Sequence, residues 1–117
     1  MIEYLEQQDL AAEKDLSKAL RLNPNLASSH YQLARVYQRE AKYHEALAQI
    51  DAANKIDPAS YNIHYLRGQI LRQLGRLEEA KAEMEATTRM MNEQRDKRQK
   101  ELYGGPVPNP VLTRELQ

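Results

Sequence analysis

Cysteine is missing altogether. That excludes disulfides and thiolate metal sites, and it leaves the redox compartment unreadable. Tryptophan and phenylalanine are missing too, so seven tyrosines supply all the aromatic surface. No apolar run approaches the roughly 20 residues of a membrane-spanning helix, and no signal-peptide pattern opens the chain. Neither sign of charge prevails: 17 basic side chains stand against 17 acidic ones in 117 residues. General nucleic-acid and membrane-surface binders carry a basic excess, so neither partner is expected. Apart from Gly68, the four glycines and five prolines fall between the apolar-periodic segments or near the C-terminus.

What is abundant favours helix: Ala, Leu, Glu, Gln, Lys and Arg. The length suits one domain. Apolar residues recur at helical spacing over 9–22, 26–40, 43–56, 60–74 and 77–102, after a short stub at 2–7. Leu26, His30, Leu33, Ala34 and Tyr37 make one stripe. Tyr43, Ala46, Leu47, Ile50, Ala53 and Ile56 make the next. Ile63, Arg67, Ile70, Leu71 and Leu74 make a third, with an arginine where an apolar residue is expected. Asn23-Pro24 and Asp57-Pro58 end helices, because proline cannot donate the helical bond and restricts the residue before it. Gly75 ends another in the left-handed position.

These segments are in register. Ala12, Ala46 and Ala80 stand 34 residues apart, and so do Leu16, Ile50 and Met84. Pro24 and Pro58 keep the same interval. A fixed period of this size marks a repeat architecture. Short connections make successive helices antiparallel. Two helices approach closely only where both contact faces carry small side chains, which accounts for Ala46 and Ala53 on one helix and Ala34 or Gly68 on its neighbour.

The residues that carry this pattern resemble the tetratricopeptide repeat, W-x2-L-G-x2-Y followed by A-x3-F and P. His30, Leu33, Ala34, Tyr37, Ala46, Ile50 and Pro58 align with it, with His for Trp, Ala for Gly and Ile for Phe. His64, Gly68, Leu71, Ala80 and Met84 align one period later. That copy departs at Arg67, where Leu is usual, and lacks the closing proline. An earlier copy keeps only its second helix, with Ala12, Leu16, Ala19 and Pro24. The resemblance covers about residues 2–92. It implies an all-α fold, a right-handed superhelical stack of antiparallel helix pairs (an α-solenoid) with about two and a half repeats and a long C-terminal helix. The expected divisions are 1–25 (stub and second helix of a partial repeat), 26–59 and 60–92 (full repeats), 93–103 (an overrun of the last helix) and 104–117 (a flexible tail). Met1 falls in mid-repeat, so the chain reads as a piece of a longer array. Pro106, Pro108 and Pro110 favour an extended, polyproline-like tail, mobile or lying in a groove. Beyond Met91 the last helix reads Arg95, Arg98 and Leu102 on its apolar face. Its distal turns therefore either project into water or offer a surface to a partner or a second copy.

No catalytic constellation emerges. "HEALA" opens like the zinc-protease pattern H-E-x-x-H, but Ala48 stands where the second histidine belongs. His30 and His64 occupy equivalent places one period apart, roughly 10 Å from each other, and read as half-polar packing residues rather than a metal pair. Ser60 resembles an N-cap. The carboxylates of "LEEAKAEME" read as solvated surface with Glu–Lys pairing. No nucleophile elbow or phosphate loop is present. The expectation is a non-enzymatic chain that needs no metal or cofactor.

The resemblance places a concave groove on the first helix of each pair, here 26–40 and 60–74. The residues expected to face it are Ser28, Tyr31, Gln32, Arg35, Gln38 and Arg39 on one helix. Asn62, Tyr65, Leu66, Gln69, Arg72 and Gln73 follow on the next. Tyr31 and Tyr65 form a two-rung aromatic ladder among arginines and amides, residue types that anchor interfaces. Such a groove suits an extended peptide bearing carboxylates and one or two apolar side chains. The subclass that grips chaperone C-termini uses Lys and Asn at the places held here by Tyr31 and Arg35, and by Tyr65 and Gln69, so that ligand is not expected. The function read from the sequence is a protein-interaction module that binds an extended, acidic peptide or partner, within a larger scaffold. Its rival is self-association through the open N-terminal edge and the long last helix. RNA binding and catalysis are the remote alternatives.

Overall fold

The computed structural model describes residues 2–104, with side chains from Gln7 onward. The expected proline-bearing tail lies outside the described residues. Five α-helices follow one another: α1 (Ile2–Leu22), α2 (Ala27–Arg39), α3 (Tyr43–Ile56), α4 (Tyr61–Gln73) and α5 (Leu77–Tyr103). Among the described residues there is no strand. The break expected between the stub and the second helix is absent. Gln7, Gln8 and Asp9 contain no glycine or proline, so nothing interrupts the hydrogen-bond ladder and α1 runs through.

The connections behave as their residues dictate. Short turns join α2 to α3 and α4 to α5, so each pair is an antiparallel hairpin. In the first turn the Ala41 amide donates to the Gln38 carbonyl at 3.0 Å and the Lys42 amide to that of Tyr37 at 2.8 Å. One period later Gly75 donates to Arg72 at 3.0 Å and Arg76 to Leu71 at 2.9 Å. Both turns need a left-handed residue, and the chain supplies Ala41 at φ 60° where it later supplies Gly75 at φ 80°. A Cβ in that region costs about 1–2 kcal/mol, and glycine's extra chain entropy returns part of it. Ala41→Gly should therefore stabilise the fold by about 0.5–1 kcal/mol, read as a rise in Tm. An unchanged or lower Tm would show that the alanine is unstrained.

The small residues mark the tight contacts. Ala34, Ala46 and Ala53 are all 0 % exposed. A Cβ built on Gly68 would come within 2.9 Å of the Met84 methyl and 3.3 Å of the Glu83 Cβ, so α4 meets α5 at Gly68. Ile50, Ile63, Leu66, Ile70 and Leu71 fill the space between the two hairpins, and α4 lies on α3 while α2 lies on α1.

His30 and His64 pack between helices and lock the turns. His30 Nε2 lies 2.9 Å from the Pro24 carbonyl and its Nδ1 2.8 Å from Gln49. His64 repeats this with the Pro58 carbonyl at 2.8 Å and Glu83 at 2.7 Å. The proline that ends a helix thus offers its carbonyl to the next one. Arg67, the apparent misfit, extends the second lock. Its Nε donates to Asp51 at 2.7 Å and a terminal nitrogen pairs with Glu83 at 3.3 Å. The carboxylates of Asp51 and Glu83 hold the Arg67 guanidinium above its ordinary range against the opposing pull of burial. Glu83 is therefore not the solvated residue that its segment suggested. Its side chain is only 15 % exposed and ties α5 to α4. Glu79, in the same segment, pairs with Arg76 rather than with a lysine.

Candidate functional site

The first helix of each hairpin presents a polar, aromatic face. On α2, helical spacing aligns Ser28, Tyr31, Arg35 and Gln38. On α4 it aligns Asn62, Tyr65, Gln69, Arg72 and Gln73. Ser28, Tyr31 and Asn62 line one hollow of about 210 Å³ together with Ala27, Asp57, Ser60 and Ile63. Ser60 does occupy the N-cap position of α4, but its side chain makes no capping bond.

Tyr31 leans on the core while keeping part of its ring in solvent. The Arg35 guanidinium stands 6.0 Å from the centre of that ring, within cation–π range. Tyr65 is 49 % exposed, a large ring left in water. Gln38 donates to Gln73 at 3.0 Å and so links the two helices across the face. Among the described residues no carboxylate pairs with Arg35 or Arg72. Two arginines thus remain with donors to offer.

Two expected residues, Leu66 and Arg39, do not join them. Leu66 is 4 % exposed and belongs to the core, because it follows Ile63 and precedes Ile70 on the stripe that packs inward. Gln32 is exposed on α2, one period before Leu66. Arg39 donates to Asp9 through Nε and a terminal nitrogen at 3.1 and 2.8 Å. It fastens α2 to α1. Beside it the Tyr37 hydroxyl donates to Glu13 at 3.3 Å. Burial first, and then the Glu13 carboxylate, raises the Tyr37 phenol above its ordinary value.

Among the described residues no cluster of three His, Asp or Glu could hold a metal ion, and no helix is long and apolar enough to cross a membrane. The face can offer guanidinium donors, amides and aromatic surface.

The model of the family described as anaphase-promoting complex, cyclosome, subunit 3 matches residues 8–87. No curated protein matches significantly. Among solved structures, the second TPR of Spaghetti (RPAP3), bound to the HSP90 peptide SRMEEVD, is similar at a TM-score of 0.70 and 23 % identity. That match covers 74 % of this chain and 81 % of that one. A crystal structure of MamA is similar at a TM-score of 0.72 and 20 % identity, covering 78 % and 53 %. MamA of AMB-1 gives 0.69 and 21 %, covering 76 % and 53 %. The chain thus spans about half the length of these MamA structures. At such identities the likeness speaks for the fold, an α-helical repeat solenoid.

Proposed function

We infer the function of this chain from its family: it belongs to that of anaphase-promoting complex, cyclosome, subunit 3, a tetratricopeptide-type repeat family, and is a protein-interaction module. We propose that it takes an extended peptide along the face of α2 and α4, with carboxylates on Arg35 and Arg72 and an apolar side chain between Tyr31 and Tyr65. The observation that carries this reading is the partly exposed ring of Tyr31 and the exposed ring of Tyr65, one period apart, flanked by arginines that no carboxylate among the described residues occupies. Guanidinium–carboxylate bonds are charge-assisted and directional, and tyrosine adds contact area at low entropic cost. The HSP90 peptide on the RPAP3 domain is itself acidic in its last residues, which supports an acidic ligand for a fold of this kind. The Lys and Asn of the subclass that grips chaperone C-termini are not matched here, since Tyr31 and Arg35 stand at those positions.

The test is Arg35→Ala with Arg72→Ala. Both side chains are exposed, so folding should be unaffected. Anisotropy titration with acidic peptides should show capture weakened by about tenfold or more, since each charged hydrogen bond contributes about 1.5–3 kcal/mol where water is excluded and less at a rim. Unchanged affinity would sink the assignment. The second reading is self-association, favoured by Leu22 and Leu77, which are 82 % and 63 % exposed. Light scattering decides it: a mass above 13.6 kDa that falls when either leucine becomes serine would support pairing of the edges.

A further inference from the structure

The 34-residue period fixes where a further first helix would begin. α2 starts at Ala27 and α4 at Tyr61, so the next would start at Arg95. No turn occurs there. α5 passes straight through this position to Tyr103 and ends only at Gly104, at φ 71°. From Met91 to Tyr103 every residue except Gln99 is exposed. At about 1.5 Å per residue, α5 outruns its partner α4 by about 20 Å.

This overrun makes a corner with the start of α4. The hollow there is about 450 Å³, lined by Tyr61, Met91, Gln94, Arg95, Lys97, Arg98 and Glu101. Tyr61, Met91, Gln94 and Lys97 stand one period after Ala27, Asp57, Ser60 and Ile63, four of the residues around the 210 Å³ hollow at the end of the α2–α4 face. The corner is therefore the next copy of that hollow, with α5 as its far wall and the first turn of α4 between the two.

Its chemistry has changed between copies. Alanine has become Tyr61 and aspartate has become Met91, so an apolar floor replaces a small acidic rim. Isoleucine has become Lys97, and Arg95 and Arg98 are added. Among the described residues no carboxylate pairs with Arg95, Lys97 or Arg98, and Arg95 reaches only Asn92, at 3.1 Å. Glu101 alone opposes them. The carboxylates of the same helix, Glu85, Glu93 and Asp96, line a different face of α5. A chain with no net charge has thus gathered unpaired cations in one recess.

We propose that this corner is a second docking site, separate from the α2–α4 face, for an acidic segment of a partner protein in extended conformation. One apolar side chain of that segment lies on Tyr61 and Met91, and carboxylates on either side of it meet Arg95 and Arg98. The carboxylate-bearing face of a second copy is a poorer complement, because Lys81 and Arg89 line it beside Glu85, Glu93 and Asp96. All the lining residues but Tyr61 lie beyond residue 87, where the family match ends, so the cations of this hollow stand on the overrun of α5.

The experiment is an amide NMR titration of the full chain carrying Arg35→Ala and Arg72→Ala, which silences the α2–α4 face. The probe is a short peptide of glutamates around one leucine. The Tyr61, Met91, Arg95 and Arg98 amides should shift saturably, and adding Arg95→Glu with Arg98→Glu should weaken binding at least tenfold. Replacing the peptide's leucine by serine should weaken it several-fold. Shifts absent from the corner, or affinity unchanged by the charge reversals, would overturn the proposal, whatever the outcome at the α2–α4 face. Corner amides that shift on concentrating the protein without peptide would overturn it too, in favour of a second copy.

Discussion

Ile50→Ala should cost the chain about 2–5 kcal/mol, against a total stability of roughly 5–15 kcal/mol for a domain of ordinary kind. Ile50 is 0 % exposed and lies in the middle of α3, among Ala34, Ile63, Ile70 and Leu71. Its side chain contributes about 1.5–3 kcal/mol by leaving water. Deleting it opens a cavity as well, because rigid helices relax only partly into the gap. In a stack of few repeats each unit leans on its neighbours, so a loss at the central contact weakens both hairpins. Urea unfolding followed by circular dichroism measures this.

The period supplies the control. Leu16 and Met84 hold the same register as Ile50, yet both are only partly buried. Among the described residues α3 has helices on both sides of it in the stack, whereas α1 has a neighbour at α2 alone and α5 at α4 alone. Leu16→Ala and Met84→Ala should each cost well under the Ile50 value. Equal losses at all three positions would mean that register, and not burial in the stack, sets the energy.

The contrast also shows how much the sequence could tell. Helices, turns and tight contacts were legible because each is written locally: proline after α1 and α3, glycine after α4, alanine or glycine wherever two helices touch. The period then fixed the order of the stack. What stayed hidden depends on which edge of a helix another element covers. Leu66 was placed with the groove residues because it falls one turn after Asn62. At 100° per residue it falls equally near the Ile63 and Ile70 stripe, and being leucine among amides and arginines was the signal. Arg39 looked free because its partner Asp9 lies a whole helix earlier, on a segment expected to be broken. Glu83 looked solvated because nothing within α5 explains its burial. Its histidine and arginine partners are on α4, 19 and 16 residues earlier. The edges of the site are decided by contacts of that range, which composition and spacing do not encode.

Arg67 offers the test of whether such a contact is a departure or a replacement. One period earlier the same three places hold Leu33, Gln49 and Ser17, and there Gln49 bonds His30 without any charge. The later copy holds Arg67, Glu83 and Asp51, and bonds His64 within an ion-pair network. Arg67→Leu alone should cost about 1–3 kcal/mol. Removing one partner of a buried pair costs about 3–5 kcal/mol when the other charge is stranded. Here water reaches part of the network and His64 remains beside Glu83, so the loss is smaller. Adding Glu83→Gln should restore most of it, because the pair then matches the neutral lock of the earlier copy and no buried carboxylate is left over. The double-mutant cycle reads the coupling directly. A coupling near zero would mean that Arg67 and Glu83 act separately and that the network is surface decoration. Recovery in the double variant would mean that the two copies hold their helices by interchangeable chemistry, one neutral and one ionic, around equivalent histidines and proline carbonyls.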